Sequence, residues 1–243
     1  MPGLFNPTVA SITLRTTMGR KRALLFALPA VILILVTLAL KAGHPTDPHW
    51  PSLILGDFTF TVILPLTALI IGTSVLGAEI DDGSILHLLA TPVRRSSVIV
   101  TKFVLAAGLT MIFAAVPELL AGLIATGGVT KLALALFAGA LAGSVIYNAL
   151  FVMISVLTTR AIAVGLLYLL VWESLLSNVV SGVRVLSVEQ YSLGVANSIA
   201  RDGNLNAHLG LAAAVILGAL VTAVTLALAV RRLAAFSLKG DAV

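Results

Sequence analysis

Cysteine is absent from the 243-residue chain, which excludes disulfides and any Cys-ligated zinc or iron–sulfur site while leaving the redox compartment open. Charge is scarce as well: 10% of residues are Asp, Glu, Lys or Arg, against roughly 25% in soluble domains. No Gly-x-x-x-x-Gly-Lys-Ser/Thr run occurs, and not even a single Gly-Lys pair, so no loop here cradles ATP phosphates in the usual way. Strong metal ligands are sparse. His44, Asp47 and His49 lie among Pro45, Pro48 and Pro51, so they read as a turn-rich loop rather than a metal site.

What fills the sequence is apolar. Hydrophobic residues reach 59% and mean hydropathy is +1.12, the composition of an integral membrane protein. The net charge of +5 could suggest nucleic acid, but in such a chain surplus Lys and Arg mark cytoplasmic loops, and no nucleic-acid partner is expected. Spanning a bilayer takes about 20 mostly apolar residues. Six windows qualify, near 23–40, 58–78, 98–125, 132–157, 161–180 and 207–230. The fold expected is an all-α polytopic bundle in a single transmembrane domain, 1–243. The first window is longer than a secretory h-region and lacks a small-x-small cleavage site, so it reads as an uncleaved span. Ahead of it, 4–19 carries Leu4, Val9, Ile12 and Leu14 among Thr, Ser and Arg15, as in a helix lying on the membrane surface. Pro29, Pro65 and Pro117 are expected kinks.

Orientation follows the basic residues. Arg15, Arg20, Lys21, Arg22, Arg94, Arg95, Lys102, Arg160, Arg231, Arg232 and Lys239 fall on one side, and Lys41, Lys131, Arg184 and Arg201 on the other. That places both termini in the cytoplasm. It also puts His87 and His208 on opposite sides; with no Ser or Thr near a His and a carboxylate on a common face, hydrolytic chemistry is not expected.

The segment 79–97 is a charged, punctuated island. Asp81 and Asp82 stand where carboxylates cap the free N–H groups of a helix start, and Gly83 permits a change of direction. Ile85, Leu86, Leu88 and Leu89 form an apolar patch about two turns long, closed by Pro92. Arg94 and Arg95 suit an anchor at the headgroups, Ser96 or Ser97 a cap on the third span, and Lys102 a side chain snorkelling back from its first turn. Together they read as a short cytoplasmic helix lying across the membrane surface.

Gly77, Glu79, Gly83, Leu86, Leu89, Pro92, Arg94 or Arg95, and Lys102 stand in an order that resembles the cytoplasmic signature of type-2 ATP-binding-cassette (ABC) permeases. The layout is similar too: an amphipathic N-terminal element, six spans, and this signature between the second and third. The resemblance implies that Glu79, Asp81, Asp82, Gly83, Leu86, Leu89, Pro92, Arg94, Arg95 and Lys102 belong to a coupling helix that docks on a separate ATPase subunit. It further implies ATP and Mg on that partner rather than on this chain, and a second permease copy, identical or not. Residence in a prokaryotic cell membrane, and export of a hydrophobic or amphipathic substrate such as a drug, natural product or lipid, are implied in the same way. Gly139-x-x-x-Gly143 and Gly210-x-x-x-Ala214-x-x-x-Gly218 permit close helix approach, within the chain or between copies.

Intramembrane polar residues are the default place to seek function. Glu118, and Glu173 beside Trp172, are expected in the outer halves of the third and fifth spans, where they could face a central cavity and a cationic substrate. A carboxylate at the outer interface, or one kept protonated by burial, is the structural alternative. Tyr147 and Asn148 fall near the middle of the fourth span, as interhelical glue or as further substrate contacts. In the outer segment 181–206, Val188, Tyr191, Val195 and Ile199 recur at helical spacing before a turn at Arg201-Asp202-Gly203-Asn204, as in a short helix on the outer face. Two other readings compete: an ion-coupled transporter using Glu118 and Glu173, and a non-transporting membrane partner of an ATPase.

Overall fold

The computed structural model describes residues 7–43, 47, 49–81, 95–177, 182–201 and 205–236, and every regular element among them is helical. The chain is thus an all-α polytopic membrane protein. Helix α1 (Pro7–Thr17) precedes α2 (Arg20–Ala42). Helix α3 occupies 51–81, α4 is Arg95–Thr126, and α5 is Lys131–Leu157. Helix α6 (Ala161–Leu176) is followed by a short turn of 3-10 helix at Val183–Leu186, then α7 (Val188–Ala200) and α8 (Leu211–Phe236). Five of these, α2, α3, α4, α5 and α8, are long and apolar enough to cross a membrane, and α6 is a shorter apolar helix.

Several boundaries differ from expectation. The second span begins at Pro51 rather than Phe58, because proline at the first helical position supplies a ready φ and lacks an N–H that would be unpaired there. Gly56 and Asp57, which interrupt the apolar run, are part of the helix. Helix α8 starts at Leu211, four residues beyond the start of the window predicted for it. Wide turns of π geometry at Thr59–Ile63 and Met111–Ala115 lie just before Pro65 and Pro117. A proline ring excludes the carbonyl four residues back, and an i to i+5 turn accommodates that loss. Pro29 has no such turn beside it and sits in a continuous α2.

Helix α5 is the centre of the bundle. It packs against α3, α4, α6, α7 and α8, and 67% of its apolar window is buried, against 22% for α2 and α8 at the edges of the bundle. Lipid tails are as apolar as leucine, so helices in a bilayer associate through close packing rather than hydrophobic transfer. The glycines of α5 provide it: a Cβ on Gly139 would lie 2.7 Å from the Ser192 carbonyl oxygen and from the Phe60 ring, and one on Gly143 2.5 Å from Leu64 and from the Ser192 hydroxyl. Helix α7 therefore does not merely rest on the outer face. It is wedged between α5 and α8, with Tyr191 and Leu193 almost completely buried. In the last span, Gly218 closes on Ile146 of α5 in the same manner. These small-residue motifs thus serve contacts within one chain.

Helix α1 presents Val9, Thr13 and Thr17, four residues apart and buried, to the base of α4, leaving Leu14 and Met18 exposed. Backbone polar groups inside a bilayer must be bonded internally, and side-chain hydroxyls face the same demand. Thr37, Thr67, Ser144, Ser155 and Thr222 each donate to the carbonyl one turn back on their own helix, at 2.6–2.8 Å.

Gly143→Val is expected to destabilise the bundle by about 1–3 kcal/mol through overpacking, whereas Gly108→Ala, whose new methyl meets nothing within 4 Å, is expected to stabilise it by up to about 1 kcal/mol. Unfolding of the purified variants in detergent measures both.

Candidate functional site

Polar side chains tie the helices together at several depths, and residues singled out in the sequence take part at three of them. The first lies at the end of the bundle where the basic residues collect. Lys102, in the second turn of α4, is fully buried, and its Nζ donates to the Val75 carbonyl of α3 at 2.8 Å. It does not snorkel to the headgroups as expected: a carbonyl on the neighbouring helix is within reach, and the ammonium turns inward to it. Asp81 lies within α3, and Ser96 and Ser97 lie within α4 rather than ahead of it. The side chains of Glu79 and Asp81, and Asp82, Gly83, Leu86, Leu89, Pro92 and Arg94 entirely, lie outside the described residues.

The second tie is in the middle of the bundle. Asn148 of α5 donates through Nδ2 to Thr110 Oγ1 of α4 at 2.8 Å and to the Ser144 carbonyl at 2.7 Å. Tyr147 stacks on Phe151, with ring centroids 5.9 Å apart, and is fully buried. Further toward the opposite end, Thr59 of α3 donates its hydroxyl to Glu118 Oε2. Glu118 has no exposed surface and its Oε1 has no hydrogen-bond partner. It is not part of the lining of the three cavities described below.

The third tie is a network at the end opposite the basic one. The second half of α6, Tyr168–Leu176, winds in π geometry, which stacks residues five apart. Tyr168 and Glu173 are so spaced, and the Tyr168 hydroxyl donates to Glu173 Oε1 at 2.8 Å. The Ser187 hydroxyl donates to Oε2 and the Val188 N–H to Oε1 at 3.0 Å, so Glu173 is held by α6 itself and by the start of α7. Trp172 is at the rim, its Nε1 3.5 Å from the Leu186 carbonyl, and lines none of the described cavities.

Glu173 forms one wall of a polar basin of about 450 Å³ with Asp57, Glu189, Arg184, Gln190 and His208. Arg184 contacts His208 through Nη1 and Nε2 at 3.0 Å, and its Nε donates to the Ser177 carbonyl at 2.8 Å. Gln190 accepts the His208 N–H at 2.9 Å. Thr61 of α3 donates to Glu189 Oε1 at 2.9 Å. Burial pushes the Glu189 carboxyl up to about 7; the Thr61 hydroxyl opposes the rise, and the carboxylates of Glu173 and Asp57 add to it.

Tyr168, Ser187 and Glu189 went unrecognised in the sequence, although a signal for one of them exists. Ser187-Val188-Glu189-Gln190 has the Ser-x-x-Gln spacing of a capping box, and Ser187 Oγ does accept from the Gln190 N–H at 3.4 Å. The Gln190 side chain departs from that motif and reaches Asn206 and His208 instead of the cap.

A second cavity, about 420 Å³ and almost wholly apolar, lies between α5, α7 and α8, and a third of about 620 Å³ opens at the basic end between α2, α3 and α6. A polytopic helical bundle with polar ties between spans, and without catalytic machinery among its described residues, has the make-up of a membrane transport subunit. A family model described as ABC-2 family transporter protein matches residues 19–190, and the chain belongs to that family. Its members form the membrane part of ABC transporters and work with ATPase subunits. No curated protein matches the sequence.

The raised carboxyl of Glu189 carries a pH dependence. A folded-state value of about 7 against about 4.5 when unfolded means that the folded protein holds the extra proton, so its contribution is fully present below pH 4.5 and is lost as pH rises through 7. The melting temperature in detergent is expected to fall over that interval, and Glu189→Gln to flatten the fall.

Proposed function

We propose that this chain is the permease subunit of an ATP-driven exporter, coupled to its ATPase through the segment centred on Leu86 and Leu89. The observation that carries the reading is the buried Lys102 to Val75 bond. It joins the ends of α3 and α4 immediately flanking that segment, so a push received there moves both helices as one body. ATP and Mg bind the partner, ATP-driven closure of two partner subunits displaces the segment, and α3 and α4 tilt to convert an inward-facing cavity into an outward-open path. Both termini face the cytoplasm of a prokaryotic cell, and two permease copies complete the pathway. The substrate is hydrophobic or amphipathic.

Glu79, Asp82, Gly83, Pro92, Arg94 and Arg95 shape and anchor the docking segment in this reading. Glu118, Asn148 and Glu173 act as ties that keep the helices in register, and Tyr147 fills the core beside them. Nothing in the geometry favours the ion-coupled alternative, because Glu118 is sealed from solvent and Glu173 is surrounded by donors.

Leu86→Asp with Leu89→Asp is expected to abolish co-purification of the ATPase and transport while leaving membrane insertion intact; ATPase association at the wild-type level would defeat the docking proposal. Lys102→Met, which removes the tie, is expected to retain ATPase association and lose most of the transport, measured with both subunits in proteoliposomes.

A further inference from the structure

Wide turns of π geometry are distributed unevenly among the helices. They occur in α3 at Pro51–Leu55 and Thr59–Ile63, in α4 at Met111–Ala115 and in α6 at Tyr168–Leu176, while α2, α5 and α8 are α-helical throughout. The parts of α3, α4 and α6 nearer the basic end, Leu64–Asp81, Arg95–Thr110 and Ala161–Leu167, are α-helical as well. Each of the three therefore leaves α geometry only in the part away from the basic end.

Contacts put those changes of winding at nearly one depth. Asn148 of α5 bonds Thr110, the last residue before the α4 turn. One turn along α5, the Phe151 ring meets that of Tyr168, the first residue of the α6 turn, with centroids 6.4 Å apart. The α3 turn is aligned with that of α4 by the two ties between these helices. Sixteen residues separate Thr59 from Val75, sixteen separate Lys102 from Glu118, and one wide turn falls inside each interval. A wide turn takes in more residues than an α turn, so one in a single helix would put the two ties out of step, and matched turns keep them in step.

Helices kink where a proline or a π turn interrupts the α-helical ladder, and hinges are short segments that absorb such changes. Pro65 and Pro117 pin two of the turns, because each denies an N–H to the carbonyl four residues back, that of Thr61 and that of Phe113. We propose that the three sets of wide turns form a hinge plane, at which the basic-end arms of α3, α4 and α6 bend against their far arms around a straight α5 and α8. The proposal deepens the exporter reading and rests on it for the force that drives the bend; the bend itself needs no partner.

Because the chain has no native cysteine, pairs of spin labels can be placed on it through introduced cysteines. Labels at Val104 and Leu120, both exposed, straddle the α4 turn, and labels at Leu211 and Leu228, also exposed, span a similar length of uninterrupted α8. In nanodiscs, with labelled chain diluted into unlabelled, the α4 pair is expected to give the broader distance distribution. Hydrogen exchange at 111–115 is expected to run about tenfold faster than at 139–143 of α5. Trapping the complex of chain and ATPase with ATP and vanadate is expected to shift the α4 distance by about 2–3 Å, as a kink change of about 20° would, and to leave the α8 distance unmoved. Pro117→Ala, which returns an N–H to the Phe113 carbonyl, should narrow the α4 distribution and remove the shift while retaining ATPase association. Pro29→Ala, at a proline with no wide turn beside it, should change none of these. Equal distributions and equal exchange in the wild-type chain, a result requiring no variant and no partner, would overturn the hinge. A shift of the same size in the α8 pair would overturn it too, since the whole bundle then deforms. A broad α4 distribution that ATP does not move would uphold the hinge and count against the exporter reading.

Discussion

Where α7 meets α5, the approach is so close that a single methyl group on Gly139 or Gly143 would collide with backbone or side-chain atoms of the facing helix. Lipid offers apolar surfaces as good a solvent as another helix does, so contact at this range, which multiplies dispersion across the interface, is what makes association worthwhile. The remaining architecture follows from it. With α7 seated against the glycines, Tyr191 and Leu193 are sealed, α8 closes over them through Gly218, and the start of α7 comes within reach of Glu173 on α6.

The polar ties add direction to that packing. Each couples helices at a different depth: Lys102 to Val75 at the basic end, Asn148 to Thr110 in the middle, and Thr59 to Glu118 beyond it. A buried donor or acceptor left unmade costs about 1–3 kcal/mol, so each tie fixes a rotational setting of its two helices as well as holding them together. In the proposed coupling, such ties would carry force delivered at one end to the other without losing it in independent movements of α3 and α4.

The sequence made the spans legible, because long apolar runs leave a bilayer-sized segment few alternatives to a helix. It also disclosed α7, through the spacing of Val188, Tyr191 and Val195. Other details depended on partners far away in the chain. Asp57 and Gly56 looked like loop because the pattern does not reveal that Asp57 faces a polar basin and Gly56 lies against Leu205. Lys102 looked like an interfacial cation because its acceptor, a main-chain carbonyl 27 residues earlier, leaves no mark in a sequence. The role of Glu173 was hidden for a related reason: its donors come from a π-wound turn and from the start of another helix, and neither follows an α-helical period.

The distribution of hydrogen bonds also divides the molecule mechanically. Side-chain bonds join α3, α4 and α5 to one another, and Lys41 adds α2 through the Ile124 carbonyl. A separate set joins α6, α7 and the approach to α8 through Glu173, Gln190 and the Arg184–His208 contact. Among the described residues no hydrogen bond crosses from α7 to α5; the two sets are bonded only at the rim, by Thr61 to Glu189 and by Asn206 to Asp57 at 3.4 Å. The α5–α7 contact, close as it is, is therefore also a smooth one. Shear along that seam slides small side chains past glycines and strains two bonds at its far edge.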